Sequence, residues 1–421
     1  MDARRAGWAG KLIRKPGTIE VMMQPADRIA DLKPYYFAQV GRQIQQMRSQ
    51  GLDVVRMDIG APDMPPPEFV IKAMIAAAQR PDRHSYQPYG GTPAYRRAWA
   101  AYYQRRFGVQ LDPQTQVVGL IGSKEGIFHL TQALINPGDV VLVPDPGYSA
   151  YAPAARIAGG HVVYMPLRAE NGFLPDLDAI PHDIRRRAKI LWLNYPNNPT
   201  GATITYEALE RAVAFAREHH ILLAYDAAYV DVVLDPDAPP PPSVLQVPGA
   251  LEVAVEFNSL SKRANMAGWR LGVAVGHAEA LRYLFLYKSQ VDSSHFGPLM
   301  DAAEVALNDP RMDAWIAARN AVYRKRRDRI LTLLTELGLT AYPAQAGMYI
   351  WAKLPPGVES LAFTQALLQH HHISWAPGRI FGPHGEGYVR ISLGVPDDAL
   401  DRALARLRAA HTLPGLPARE V

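Results

Sequence analysis

Residues 190–226 read ILWLNYPNNPTGATITYEALERAVAFAREHHILLAYD, and the fold is decided in this stretch. The apolar run Ile190-Leu191-Trp192-Leu193 stops at a cluster of Asn, Pro and Gly, a helical pattern follows, and the run Ile221-Leu222-Leu223-Ala224 ends on Tyr225-Asp226. Strand, turn, helix and strand in that order place two strands side by side and parallel. The same alternation extends outward over about residues 117 to 277. Its other apolar runs are 116–120, His161-Val162-Val163-Tyr164, Val140-Val141-Leu142-Val143, Val253-Ala254-Val255 and 271–275. Seven runs predict an α/β domain on a mostly parallel seven-stranded sheet flanked by helices. A helix-rich stretch including Arg311 to Leu337 follows, then strand candidates at Met348-Tyr349-Ile350-Trp351 and 388–392 and a closing helix from about Pro396 to Ala410. This later part reads as a smaller α+β unit. No internal repeat is visible.

The bulk properties fit such a protein. A chain of 421 residues, 48% hydrophobic and 20% charged, can bury a large core and form more than one folding unit. No apolar stretch approaches the roughly 20 residues of a spanning helix, so no membrane span is expected. The first twenty residues are basic without an apolar core, which does not read as a secretory signal; a frayed leader over residues 1–27 is expected. With no cysteine there are no disulfides, thiolate nucleophiles or Cys-based metal sites, and the cytoplasm is the default compartment. A net charge of +5 is modest and the basic runs are short, so nucleic acid is not implied. The densest run, 324–329, reads as a solvated helix face, and Pro239 to Pro242 as a surface loop.

Ligands of open α/β sheets bind beyond the carboxyl ends of the strands. At those ends the sequence places Gly122-Ser123-Lys124, Tyr148 of 144–148, Asn194 to Gly201, Asp226, and Ser259 to Lys262. A phosphate cradle, an aromatic ring, an amide, a carboxylate and a lysine on one sheet edge suit an anionic aromatic cofactor.

Each motif also has a plainer reading. Ser259-Leu260-Ser261-Lys262 alone reads as an ordinary surface lysine. A Schiff-base lysine needs a position fixed by a strand end and a pKa depressed by nearby cations, and the two hydroxyls with Arg270 can ligate a phosphate. Asp226 could cap a helix, bind a metal or pair with a protonated ring nitrogen, but no carboxylate or His cluster accompanies it at metal spacing. Tyr229, three residues on, could reach a cofactor's phenolate oxygen. The turn 194–201 has ordinary turn composition and could still aim the Asn198 amide at that oxygen. Gly122 to Gly126 precedes a helical pattern beginning at Ile127, where backbone N–H groups and the Ser123 hydroxyl make an anion site, although Ser is also a common N-cap. Tyr148 could be a core aromatic or stack on a pyridine ring. Arg390, inside the apolar run Tyr388-Val389-Arg390-Ile391-Ser392, either has an acidic partner or holds a substrate α-carboxylate bidentately.

Taken in order, Tyr86-x-Pro-x-x-Gly91, the Asn-Pro-Thr-Gly turn ending at Gly201, Asp226-x-x-Tyr229, Ser259-x-Ser-Lys262, Arg270 and Arg390 resemble the class I/II aminotransferases of fold type I, over about residues 28 to 410. The resemblance implies a pyridoxal 5'-phosphate enzyme in which Lys262 carries the cofactor and shuttles a proton. Asp226 pairs with the pyridine nitrogen, Tyr229 and Asn198 contact the phenolic oxygen and Tyr148 stacks on the ring. Ser123, Lys124, Ser259, Ser261 and Arg270 surround the phosphate, Tyr86 reaches the phosphate of a neighbouring subunit in a homodimer, and Arg390 binds the substrate carboxylate. It further implies a segment 28–62 shared with the small domain and site, a large domain 63–299 and a small domain 300–421. The stretches 122–126, 144–148, 194–201 and 265–270 look like the LL-diaminopimelate aminotransferase branch, in which Tyr35 and Gly60 match substrate-contacting positions. Arg263-Ala264 stands where relatives usually carry Thr-Tyr, and Gln290 where many have Asn, which weakens a transfer of substrate identity.

The expectation is ping-pong transamination between an L-amino acid and a 2-oxo acid, of LL-diaminopimelate/glutamate, aspartate or alanine type. C–S lyases and decarboxylases of the fold share Lys262 and Asp226, and a non-catalytic amino-acid sensor is the reading from another class. Fused regulators of that kind carry a DNA-binding helix-turn-helix domain, for which the leader before Arg28 leaves no room.

Overall fold

The structure is a computed structural model that describes residues 25–416 except 31, 33, 411 and 414. Most of the expected leader lies outside the described residues. Within the first compact unit, Met1–Lys33, they form one helical turn, Asp27–Ala30. The second unit, Pro34–Val421, holds everything that follows.

Each of the seven apolar runs is a strand: β1 (Val117–Leu120), β2 (Val140–Asp145), β3 (His161–Pro166), β4 (Ala188–Asn194), β5 (Leu222–Asp226), β6 (Ala254–Ser259) and β7 (Gly272–Gly276). They form one sheet in the order β1-β7-β6-β5-β4-β2-β3. β2 to β6 pair in parallel, while β7 runs antiparallel to both β6 and β1. A parallel sheet covered on both faces needs apolar side chains on both, hence continuous rather than alternating runs. Alternate residues enter separate clusters: Val141, Val143, Ile190, Trp192 and Phe257 on one face, Leu142, Leu191, Leu193, Leu223 and Tyr225 on the other. Each such burial contributes roughly 1.5–3 kcal/mol before entropy is counted.

Helix α1 (Ser123–Leu134) packs on α2 (Ala278–Val291). α1 begins four residues before the apolar pattern does, because Gly122, at φ 78°, makes the turn that a side chain would strain. Ser123 is thus the first helical residue and not its cap, so its hydroxyl is free to face a ligand.

A four-stranded antiparallel sheet follows, built on β8 (Tyr349–Lys353) and β9 (Tyr388–Ser392), with short strands Thr340–Ala341 and Ala376–Pro377 at its edges. The long helix α3 (Arg311–Glu336) and the closing helix α4 (Asp397–Ala409) cover it. Val55 and Met57 join Leu334, Ile350, Ile391 and Leu404 in this second core, and Val55–Arg56 pairs in parallel with Ile373–Ser374. The basic run 324–329 departs from a uniformly solvated face. Arg326 is buried, paired with Asp63 at 2.8 Å and Asp397 at 2.9 Å, because it faces the packed side of α3.

Candidate active site

The carboxyl ends of the parallel strands open on a cavity of about 380 Å³. Its lining includes Tyr35, Gly60, Ser123, Lys124, Tyr148, Asn198, Asp226, Tyr229, Ser259, Ser261, Lys262, Arg270 and Arg390, so of the residues expected to bind cofactor or substrate only Tyr86 lies elsewhere. Tyr86 is 87% exposed. Topology explains the convergence. β4, β5 and β6 end at this edge, and β7, running the other way, begins there, so Arg270, two residues before β7, lines the same cavity as Ser259 at the end of β6.

Lys262 sits on the one-turn helix Leu260–Arg263 that follows β6, and its ammonium donates to the Gly60 carbonyl at 2.5 Å. Desolvation in the cavity, then the charges of Arg390 and Arg270, lower its pKa to about 7, against the opposing pull of Asp226. An amine so poised exchanges protons readily near neutrality.

Asp226 ends β5 and is buried; its Oδ2 accepts from the Tyr151 hydroxyl at 2.8 Å and its Oδ1 from the Ala228 N–H at 3.3 Å. Burial raises its pKa to about 6, while Tyr151, Ala228 and Lys262 act against that rise. Tyr151 stacks on Trp192 at 4.8 Å and meets Tyr148 edge-on at 5.6 Å. The Asn194 side chain donates to the Asp226 carbonyl at 2.8 Å and accepts from the Asn198 N–H at 2.8 Å, tying the 194–201 turn to the end of β5.

At the other wall, Tyr229 and Tyr349 share a hydrogen bond between their hydroxyls at 2.8 Å. Arg390 is buried in β9. It donates to the Asn198 side-chain oxygen at 2.8 Å and the Asp58 carbonyl at 2.6 Å, and its Nε is without a partner. Three rings, Tyr349, Phe381 and Phe37, lie 4.2 to 5.4 Å from its guanidinium carbon. Among the described residues no carboxylate pairs with it, which removes the salt-bridge reading and leaves a buried cation facing the cavity.

On the remaining side Ser123, Ser259, Ser261 and Arg270 come together around the Gly122 turn. A Cβ at Gly122 would stand 2.1 Å from an Arg270 Nη, so this cradle exists only with glycine there. Hydroxyls, a guanidinium and the N-terminus of α1 are the donor set an anion needs, and Asp226 offers a carboxylate in the same cavity. Lysine, carboxylate, ring and cradle together fit pyridoxal phosphate. Lys124 also lines the cavity, its ammonium 4.6 Å from the centre of the Tyr35 ring.

Tyr151, Tyr349, Phe37, Phe381 and Arg56 line or support the site without having stood out in the sequence. Tyr151 carried a faint signal, one helical turn after Tyr148; Tyr349 looked like any aromatic of an apolar strand. Glu125, His129 and Asp292 approach one another closely enough to suggest a metal group, but the Lys288 ammonium already bonds both carboxylates, at 2.9 and 2.6 Å.

The family model for aminotransferase class I and II matches residues 52–407. An LL-diaminopimelate aminotransferase of Aquifex aeolicus is 45% identical over 387 residues, 92% of this chain and 99% of the relative. The enzyme of the same name from Desulforudis audaxviator is 47% identical over 383 residues, 91% of this chain and 97% of the relative. Among solved structures, aspartate aminotransferase from Thermus thermophilus with maleate superposes with a TM-score of 0.84 at 32% identity, covering 91% of this chain and 99% of that one.

Proposed function

The chain belongs to the class I and II aminotransferases, pyridoxal-phosphate enzymes of fold type I, and from that premise we propose that it moves an amino group between LL-diaminopimelate and a 2-oxo acid such as 2-oxoglutarate by a ping-pong mechanism. The observation that carries the amino-acid end of this reading is Arg390. A buried guanidinium without a carboxylate partner costs several kcal/mol unless an anion completes it, and its planar fork matches an α-carboxylate. The diaminopimelate end rests on the names of the relatives and on Lys124, which gives the cavity a second cation for a donor with a second carboxylate. Tyr35 and Gly60 are the other proposed substrate contacts.

Bound pyridoxal phosphate supplies an electron sink for negative charge at the substrate α-carbon. In the proposed assignment the chain does the rest. Lys262 holds the cofactor and carries the proton between carbons, which its pKa of about 7 suits. Asp226 keeps a proton on the ring nitrogen, Tyr229 and Asn198 bond the phenolic oxygen, and Tyr148 covers the ring. Ser123, the backbone N–H of Lys124, Ser259, Ser261 and Arg270 take the phosphate, which leaves the Lys124 ammonium for the second carboxylate.

Tyr86, outside the cavity and exposed, is proposed to reach the phosphate of a second copy, making the working unit a homodimer. A division into a segment 28–62, a large domain 63–299 and a small domain 300–421 is proposed; separate cores at the two sheets favour two domains, although Met300 to Met312 pack in the first core, which moves the second boundary past residue 312. No helix among the described residues is long and apolar enough to cross a membrane, and a cysteine-free enzyme is at home in the cytoplasm.

A half-reaction screen tests the reading: purified holoenzyme is mixed with the common amino acids and with LL-diaminopimelate, and conversion of cofactor absorbance to the pyridoxamine form is followed. LL-diaminopimelate is expected among the fastest donors. Conversion by aspartate or alanine without it would overturn the substrate assignment, and conversion by none would remove transamination.

A further inference from the structure

The turn Leu260–Arg263 is held from behind by a buried network that the reaction above does not use. Arg319, on α3 and 3% exposed, donates through Nη1 to the carbonyls of Lys262 and Arg263, the latter at 2.9 Å, and through Nη2 to the Asp231 carbonyl at 2.8 Å. Its neighbour Asn320 accepts from Arg319 at 2.9 Å and donates to the same Asp231 carbonyl at 3.1 Å. The Asp231 carboxylate accepts from Arg263 and from the Tyr102 hydroxyl on one oxygen, each at 2.8 Å, while Arg106 stands 3.6 Å from the other. Arg263 also lies 4.6 Å over the Tyr102 ring.

Two buried guanidiniums beside one buried carboxylate are not the cheapest way to fill a core, since apolar side chains of similar volume do as well or better. What the network provides is geometry. A four-residue helix is far below the length at which helices hold themselves, and its last carbonyls have no partner within the helix. Arg319 takes up the carbonyl oxygens of the lysine and of the residue after it, and Arg263 anchors the end of the turn to Asp231. The backbone from which the Lys262 side chain departs is thereby fixed, which matters because a misplacement of about 1 Å costs on the order of a hundredfold in rate.

We propose that Arg319, with Asn320, Asp231 and Arg263, is a positioning device that aims Lys262 into the cavity and ties its turn to helix α3. The proposal rests on the assignment of Lys262 as the cofactor lysine.

The test compares two ligands of the same cavity. Pyridoxal phosphate condenses with the Lys262 amine, releasing one water; pyridoxamine phosphate carries the same ring and phosphate but forms no bond to the lysine. Affinities of both for the apoprotein are measured by absorbance and fluorescence titration for wild type, Arg319→Lys, which keeps the charge but loses the fork, and Asn320→Ala, a milder change. Melting temperature serves as the check on folding. Arg319→Lys is expected to weaken pyridoxal phosphate about tenfold and Asn320→Ala about threefold, with pyridoxamine phosphate within about twofold of wild type in both. Equal losses for the two ligands would show a structural role only, and no loss for either would also overturn the proposal. Lys262→Ala is the control: covalent capture of pyridoxal phosphate by that protein would overturn the assignment of Lys262 itself, whatever Arg319 does.

Discussion

Asp226 shows how a single position sets the chemistry of a carboxylate. Its folded pKa, raised by burial to about 6 from 3.8, means that the folded apoprotein binds its proton more tightly than the unfolded chain. That contribution to stability is fully present below about pH 3.8 and is lost as pH rises through about 6. Asp226→Asn should therefore stabilise the apoprotein by up to about 3 kcal/mol at pH 8 and by nothing near pH 4, read from urea midpoints at the two values. In the loaded enzyme the same change should lower kcat at least about a hundredfold, because the ring loses the charge partner of its nitrogen. Arg390→Gln should lower kcat/KM for the amino donor by about 10- to 100-fold and leave cofactor binding intact. Burial is the main cause of the low Lys262 pKa and Arg390 the next, so the variant should also move the acid limb of the pH–rate profile to higher pH. An unchanged limb would mean that the two cations do not sense each other. The sequence displayed Asp226 and Lys262 because each sits in a motif at a strand end, and Arg390 because a cation interrupts an apolar strand. It did not display Tyr151 or Tyr349, whose hydroxyls meet Asp226 and Tyr229 only through tertiary packing and whose sequence context is that of core aromatics.

At the scale of elements, the seven strands were legible because strands buried on both faces leave uninterrupted apolar runs. The reversal of β7 was not, since direction depends on the connection and leaves no mark on composition; yet that reversal brings Arg270 to the same edge as Ser259. The run 324–329 misled for a related reason. Helical spacing puts Arg326 on the face of Tyr323 and Ile330, but its partners Asp63 and Asp397 are remote in sequence, so the ion pairs that let it be buried were not legible. A similar long-range clip joins α1 to α2 through Glu125 and Lys288. Burial pushes the Glu125 pKa up, but the His129 hydrogen bond and the Lys288 charge outweigh it and hold the group at about 2. Because the folded value lies below the unfolded 4.5, the clip stabilises above about pH 4.5 and fades as pH falls toward 2. Lys288→Met leaves the half-buried Glu125 with only His129 and the Ile121 N–H, takes from Asp292 its cation, and should cost about 2 kcal/mol at pH 7, with a smaller loss at pH 4. Equal losses at both values would assign the effect to packing rather than to charge.

At the scale of the whole molecule, the surface around Tyr86 carries the argument for a second copy. Tyr86 at 87% exposure, Leu286 at 58% and Phe296 at 45% are large apolar side chains left in water, and Tyr89 and Phe285, also exposed, line a cavity of about 420 Å³. Large exposed apolar patches mark interaction surfaces, and a two-fold contact between identical chains brings the same patch on each copy into play. If Tyr86 serves the partner's phosphate cradle, then Tyr86→Ala and Lys262→Ala damage different sites of a mixed dimer in a way that can be counted. The Lys262→Ala chain's own cavity would lack the lysine and also receive the altered residue 86, whereas the other cavity would keep Lys262 and receive an intact Tyr86. Refolding the two variants together should then add up to about a quarter of wild-type activity to what the variants show alone, half of the dimers being mixed and half of their sites whole. Were Tyr86 to act within its own chain, every site in every mixture would carry a lesion, and no activity would be added.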